Sequence, residues 1–287
     1  MRVLQIMAGG QPFAVPVAAV SRVGPLAADQ PATSLARRLG LATSADERKL
    51  LYLCRTPTEG QVAFAIDAAG STEEVSCLPW PSALAATGRD GESLPFMGVA
   101  RLRGGLALVL DGDRLVGEAA HSGATGDGAA SKAPPAALPL PDAPLLIGSP
   151  GLYRLRGRPL AVALPLATVR SVRAVGDVVP LPLAPLPGTG LAVIDESPVP
   201  VFDAAVVLGL PESSVPAMRM VVFDGGAGPA ALRIAGAAGV ERPRHWASPA
   251  LLAPIASEVI LGTLPRPERW VAVLDPARIG ARGVLAS

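Results

Sequence analysis

The stretch Gly190–Leu210 reads GLAVIDESPVPVFDAAVVLGL, and the reading of the whole chain turns on it. A glycine opens an apolar run, the acidic pair Asp195–Glu196 interrupts it, and Pro-Val-Pro-Val resumes it. Asp203 then stands where it can cap a short helix that closes at Gly209. Two charges between two apolar strands fit catalytic acids, metal ligands, or a hairpin tip that another protein touches. The rest of the sequence narrows these three.

Half of the 287 residues are hydrophobic and 17% are charged, enough apolar material for a substantial core and too much for a disordered chain. Aromatic residues make up only 3%, so Ala, Val and Leu must do the packing, which suits small barrels. The 25 basic and 24 acidic residues leave a formal charge of +1, which points to neither nucleic acid nor an anionic membrane as partner. Cys54 and Cys77 are the only cysteines; they do not make a disulfide framework and read as small buried hydrophobes. Charge-free runs such as VVPLPLAPLPGTGLAVI are broken by Pro and Gly too often for a membrane-spanning helix. In MRVLQIMAGGQPFAVPVAAV, the Gly9-Gly10-Gln11-Pro12 step interrupts what would be a signal peptide. The expectation is a cytoplasmic protein.

The chain repeats itself. PVAAVSRV (Pro16–Val23) aligns with PLATVRSV (Pro165–Val172), and LVLDGDRL (Leu108–Leu115) with AVLDPARI (Ala272–Ile279), where an Arg follows the shared Asp by three residues. Between these blocks, KLLYLCRTPTEGQVAFAIDAAG and RMVVFDGGAGPAALRIAGAAG each read as two strands around a hairpin. The offset grows from 149 (Val23 to Val172) to 169 (Gly40 to Gly209), so the first copy lacks about 20 residues at the stretch quoted above. The expected organisation is a degenerate first domain at 1–117, a Gly/Ala/Pro-rich linker at 118–143 and a more complete second domain at 144–287. Short strands bounded by Gly, Pro and Asp, with brief helical stretches, predict an all-β chain of small barrels.

Chemistry is sparse. A Ser or Cys nucleophile would need a base, and the two histidines are His121 in the linker and His245 in RPRHWASP. Asp111-Gly-Asp113 is too short for a calcium loop, and its counterpart Asp275-Pro276-Ala277 lacks the second acid; a helix cap fits both. GGAG (Gly225–Gly228) lies between two strand patterns and reads as a turn rather than a dinucleotide loop, and GATGDGAASK lacks the ending of a phosphate loop. Arg37–Arg38, Arg154–Arg158 and Arg170–Arg173 are scattered and read as solvated faces. Trp80, Trp246 and Trp270 are the candidate interface anchors, with burial the default for each. No catalytic constellation, metal set or cofactor motif emerges, and protein binding is the expected activity.

The second copy resembles a CheW-like domain, the fold of the chemotaxis coupling proteins and of the regulatory domain of their partner kinase. The likeness runs through YRLRGRPLAVALPLATVRSV, then LPLAPLPGTGLAVIDESPVPVFDAAVVLG, then WVAVLDPARI. It implies a tandem protein in which each domain pairs two small five-stranded SH3-like barrels, the first copy lacking part of one. It also implies a non-catalytic adaptor joining chemoreceptor cytoplasmic tips to the regulatory domain of a CheA-type histidine kinase. The alternative is a CheW-derived module that self-associates and no longer couples the two. In the family the turn corresponding to Asp195–Glu196 usually carries Arg-Gly and contributes to partner contacts. Gly190, Val193, Ile194, Asp195, Glu196 and Ser197 are therefore the partner-binding candidates. An interface built to accept Arg there would meet like-charge repulsion, a cost on the order of several kcal/mol.

Overall fold

The computed structural model describes residues 1–27, 32–43, 47–54, 61–81, 94–118, 143–182, 189–211, 213–252, 255 and 257–282. Nearly all of the expected linker, with His121 and GATGDGAASK, lies outside the described residues. The chain divides into two units.

The first unit runs β1 (Arg2–Ala8), β2 (Gln11–Pro16), β3 (Val20–Pro25), β4 (Thr33–Ser34), α1 (Leu35–Arg38), β5 (Lys49–Leu53), β6 (Val62–Ile66), β7 (Ala68–Glu74), β8 (Cys77–Pro79), β9 (Phe96–Leu102), β10 (Gly105–Leu110) and α2 (Gly112–Glu118). The second runs β11 (Leu145–Ser149), β12 (Arg154–Leu155), β13 (Arg158–Pro165), β14 (Val169–Ala174), β15 (Val179–Pro180), β16 (Gly190–Ile194), β17 (Ser197–Asp203), α3 (Ala204–Val207), β18 (Arg219–Asp224), β19 (Pro229–Ile234), β20 (Gly236–Glu241), β21 (Ile260–Pro265), β22 (Trp270–Leu274) and α4 (Pro276–Arg282). The all-β expectation holds, and the α-helices are short, of four residues (α1 and α3) or seven (α2 and α4).

Each unit holds two sheets. In the second, β20-β11-β13-β22-β21 form a five-stranded path with the two-residue β12 attached to β13, and β14-β18-β19-β17-β16 form another, ending on the two-residue β15. In the first unit, β7-β1-β2-β10-β9 end on the three-residue β8, whereas the remaining sheet has only β3-β5-β6-β4. The short sheet falls where the sequence offset predicts about 20 missing residues. β4 is a two-residue strand paired with β6 in parallel through Thr33↔Phe64 and Ser34↔Ala65, as β17 pairs with β19 through Phe202↔Leu232 and Asp203↔Arg233.

Strand alternation explains how so few aromatics suffice. From β13, Leu160, Val162 and Leu164 join a cluster with Val221 and Phe223 of β18 and Leu232 and Ile234 of β19, a core shared by both sheets of the unit. The opposite face of β13 sends Ala161 and Ala163 into a separate cluster with Leu145, Ile147, Leu264, Val271 and Val273. The opposite face of β18 sends Met220 and Val222 against Ala192, Ile194, Val199 and Val201. These strands are thus buried on both faces, and the inner clusters are filled by Ala, Val, Ile, Leu and Met.

The ends of the two units use the same bonds. Asp275 Oδ1 accepts hydrogen bonds from the backbone N–H groups of Ala277 (3.0 Å) and Arg278 (3.3 Å) at the start of α4, which Pro276 opens. Asp111 Oδ1 accepts them from Asp113 (3.1 Å) and Arg114 (3.2 Å). Arg278 returns to Asp275 Oδ2 at 3.3 Å and donates to the Glu258 carbonyl; Arg114 lies 3.2 Å from Asp111 Oδ2 and donates to the Leu94 carbonyl. The backbone N–H groups of Asp275 and Asp111 donate to Val259 and Pro95, just before β21 and β9. The cap reading of both aspartates is correct, and GGAG forms the β18–β19 turn, closed by the Gly225 N–H donating to the Gly228 carbonyl.

Asp275 is 1% exposed, whereas the Asp111 side chain is 25% exposed. Asp275→Ala should therefore lower stability by about 1–2 kcal/mol, Asp111→Ala by less, and Asp275→Asn by less than Asp275→Ala, because the amide oxygen still caps α4 while the Oδ2 contact with Arg278 is lost. Urea unfolding of the three variants checks this order.

Candidate protein-interaction site

β16 and β17 are hydrogen-bonded neighbours joined by two residues only, Asp195 and Glu196, a loop that admits only an antiparallel hairpin. Both have left-handed backbone, with φ of 49° and 61°. Positive φ at both central positions is the hallmark of the type I′ turn, whose twist matches the flanking strands and which favours Asn-Gly. Without glycine the conformation costs about 1–2 kcal/mol per residue, less for Asp, whose short side chain tolerates the region better. The same local geometry occurs at Gly9–Gly10 and at Arg156–Gly157, where glycine supplies it in part or in full. The hairpin-tip reading of the acidic pair is the one the backbone adopts.

The six candidate residues separate into two groups. Asp195, Glu196 and Ser197 are exposed and Val193 is half-buried. Gly190 and Ile194 are buried: Ile194 packs with Val199 and Val201, and a Cβ on Gly190 would come within 2.6 Å of Val178 Cγ1 and 2.8 Å of the Val179 carbonyl oxygen. Gly190 permits the close approach of β15, which pairs with it through Pro180. These two residues hold the hairpin in place, and the surface they support is Val193 with Asp195–Ser197. Asp203 caps α3, accepting from the Ala205 N–H at 2.9 Å, and lies 3.6 Å from Arg233.

The sequence reading missed a second feature of the same unit. Ala174, Val175, Ala217, Met218, Arg219, Gly236 and Ala237 line an open groove of about 700 Å³. β14 and β20 are each the last strand of their sheet, and one end of each contributes to the groove. Apolar side chains stand exposed on the unit: Met218 is 62% exposed, Val240 54% and Val172 42%.

Among the described residues no nucleophile is paired with a base beside this surface. Cys54 and Cys77 are free and half-buried, and burial raises the Cys77 thiol above its ordinary pKa, away from the thiolate. His245 is exposed. Among the described residues no three His, Cys, Asp or Glu side chains gather as a metal set. Trp80, Trp246 and Trp270 are all half-buried; Trp80 stacks on Phe96 at 5.5 Å between ring centroids. Among the described residues no helix is long and apolar enough to cross a membrane.

Residues 152–282 match the family model of the CheW-like domain. The matched range contains the hairpin, the groove and α4. Among solved structures the chain is similar to the crystal structure of the scaffolding protein TtCheW from Thermoanaerobacter tengcongensis, with 14% identity and a TM-score of 0.38 over 48% of this chain and 86% of that one. No curated protein matches the chain.

Because Asp195–Glu196 carries its positive φ without glycine, Asp195→Asn/Glu196→Gly should raise the denaturation midpoint, with a gain of about 1 kcal/mol. Gly190→Val should lower stability, since its side chain has no space beside Val178. Thermal unfolding of both variants reads the two opposite shifts.

Proposed function

We propose that this protein is a non-catalytic chemosensory adaptor, cytoplasmic, that links chemoreceptor tips to a CheA-type histidine kinase. The match of residues 152–282 to the CheW-like domain carries this reading. The open groove lined by Ala174, Val175 and Met218, and separately the exposed acidic hairpin tip, support binding of protein rather than of a small substrate. Val193, Asp195, Glu196 and Ser197 are the contact residues of the hairpin.

In this proposal 1–117 is a second, shortened CheW-like domain, joined through 118–143 to the domain at 144–287. Support comes from the recurrence of strand order, of the parallel β2–β10 and β13–β22 pairings and of the aspartate caps. α1 and α3 also end alike, with the Gly40 N–H donating to the Arg37 carbonyl and the Gly209 N–H to that of Val206.

A pull-down against the kinase regulatory domain and the receptor tip tests the adaptor. Capture of both by the native chain, weakened at least about tenfold by Asp195→Arg/Glu196→Gly, is the expected result for an interface rewritten around the acidic tip. Capture only after those substitutions would mean that coupling has been lost. Capture by neither would remove the adaptor reading.

A further inference from the structure

Three turns of the second unit bring together arginines that lie far apart in the chain. The β12–β13 turn supplies Arg154, Arg156 and Arg158; the segment after β20 supplies Arg242 and Arg244; the β21–β22 turn supplies Arg266 and Arg269. Their adjacency is explicit. Arg158 Nη1 donates to the Arg266 carbonyl at 3.3 Å, and its guanidinium lies 5.6 Å from the centre of the Trp270 ring. Arg242, Arg244, His245 and Arg266 line a cavity of about 320 Å³ together with Trp246. The Ala247–Thr263 bridge holds the segment after β20 against β21, with its two hydrogen bonds at 2.9 and 3.0 Å.

The charge there is unbalanced. These seven arginines face two acids of the same turns, Glu241 and Glu268, a surplus of five positive charges on a chain whose formal net charge is +1. Glu241 is already engaged, bridging Arg266 (3.1 Å) and Arg269. Arg156, Arg242 and Arg244 are exposed and have no ion pair or hydrogen bond among the described residues. Like charges gathered at one end of a sheet repel, and a folded chain gains nothing from them unless an anion arrives.

We propose that this basic corner docks an acidic segment of a protein partner, with carboxylates pairing with Arg242, Arg244 and Arg156. The inference rests on the adaptor reading only in taking the ligand to be protein. Glu241 shows the chemistry in place: one carboxylate held between two guanidiniums, the arrangement an incoming Asp or Glu would repeat on the unpaired arginines. The arginines are spread over three turns instead of converging on one point, which fits a run of separate carboxylates better than a single compact oxyanion. The aromatics at the corner, Trp246 and Trp270, are both half-buried and offer no stacking ladder for a nucleic acid.

The test is fluorescence anisotropy of a labelled octaglutamate peptide with the full chain. Saturable binding that weakens as salt rises from about 50 to about 300 mM is expected, with octalysine not binding. Arg242→Glu/Arg244→Glu should weaken octaglutamate binding at least about tenfold. Arg242→Lys/Arg244→Lys, which keeps the charge and loses the guanidinium fork, should weaken it less than the Glu pair does, and Arg101→Glu/Arg103→Glu, the same charge change in the first unit, should alter it less than about twofold. Absence of saturable binding at low salt, equal weakening by the Arg101/Arg103 pair, or tighter binding of phosphatidylserine vesicles or a single-stranded oligonucleotide would overturn the proposal. Kinase and receptor capture without octaglutamate binding would defeat this inference alone; octaglutamate binding without that capture would defeat the adaptor reading alone.

Discussion

Burial of single strands on both faces is the constraint on which the second unit depends. β13 must satisfy the shared core with Leu160, Val162 and Leu164 and a narrow interior with Ala161 and Ala163. A strand under that double demand cannot alternate apolar with polar, and it cannot carry large rings inward. Phe202 and Phe223 accordingly lie in the shared core, while the buried members of the inner clusters are Ala, Val, Ile, Leu and Met, with half-buried Trp246 packed against one of them. The low aromatic content of the chain follows from this geometry, and so does the scarcity of aromatic anchors for a partner. What the surface offers instead is a groove of small apolar residues, a strained acidic turn and a basic corner.

How much was legible in the sequence depended on how locally each feature is determined. The Asp111 and Asp275 caps were readable because the bonds reach only two and three residues ahead. The Asp195–Glu196 hairpin was readable for a similar reason, two residues between two apolar runs. The four-stranded sheet of the first unit stands at the point where the two sequence blocks change offset.

Features set by strand pairing stayed hidden. Arg154–Arg158 reads as a solvated face until the parallel pairing of Leu160 with Trp270 brings it to the turn that carries Arg266 and Arg269. Gly190 reads as a partner-binding candidate at the head of a strand until β15 closes on it and leaves no room for a Cβ. The groove depends on which strands end their sheets, and hydropathy carries no record of that.

The parallel pairings have a kinetic meaning. β2 meets β10 through Phe13↔Leu108, and β13 meets β22 through Leu160↔Trp270, so each unit joins a strand near its start to one near its end. Loop closure over such separations is entropically unfavourable before any non-local contact offsets it, and folds of this kind form slowly. The aspartate caps lie directly after β10 and β22, beyond the last strand to be paired. A chain interrupted before β10 or β22 would therefore hold the earlier strands of its unit without the parallel neighbour that completes their sheet.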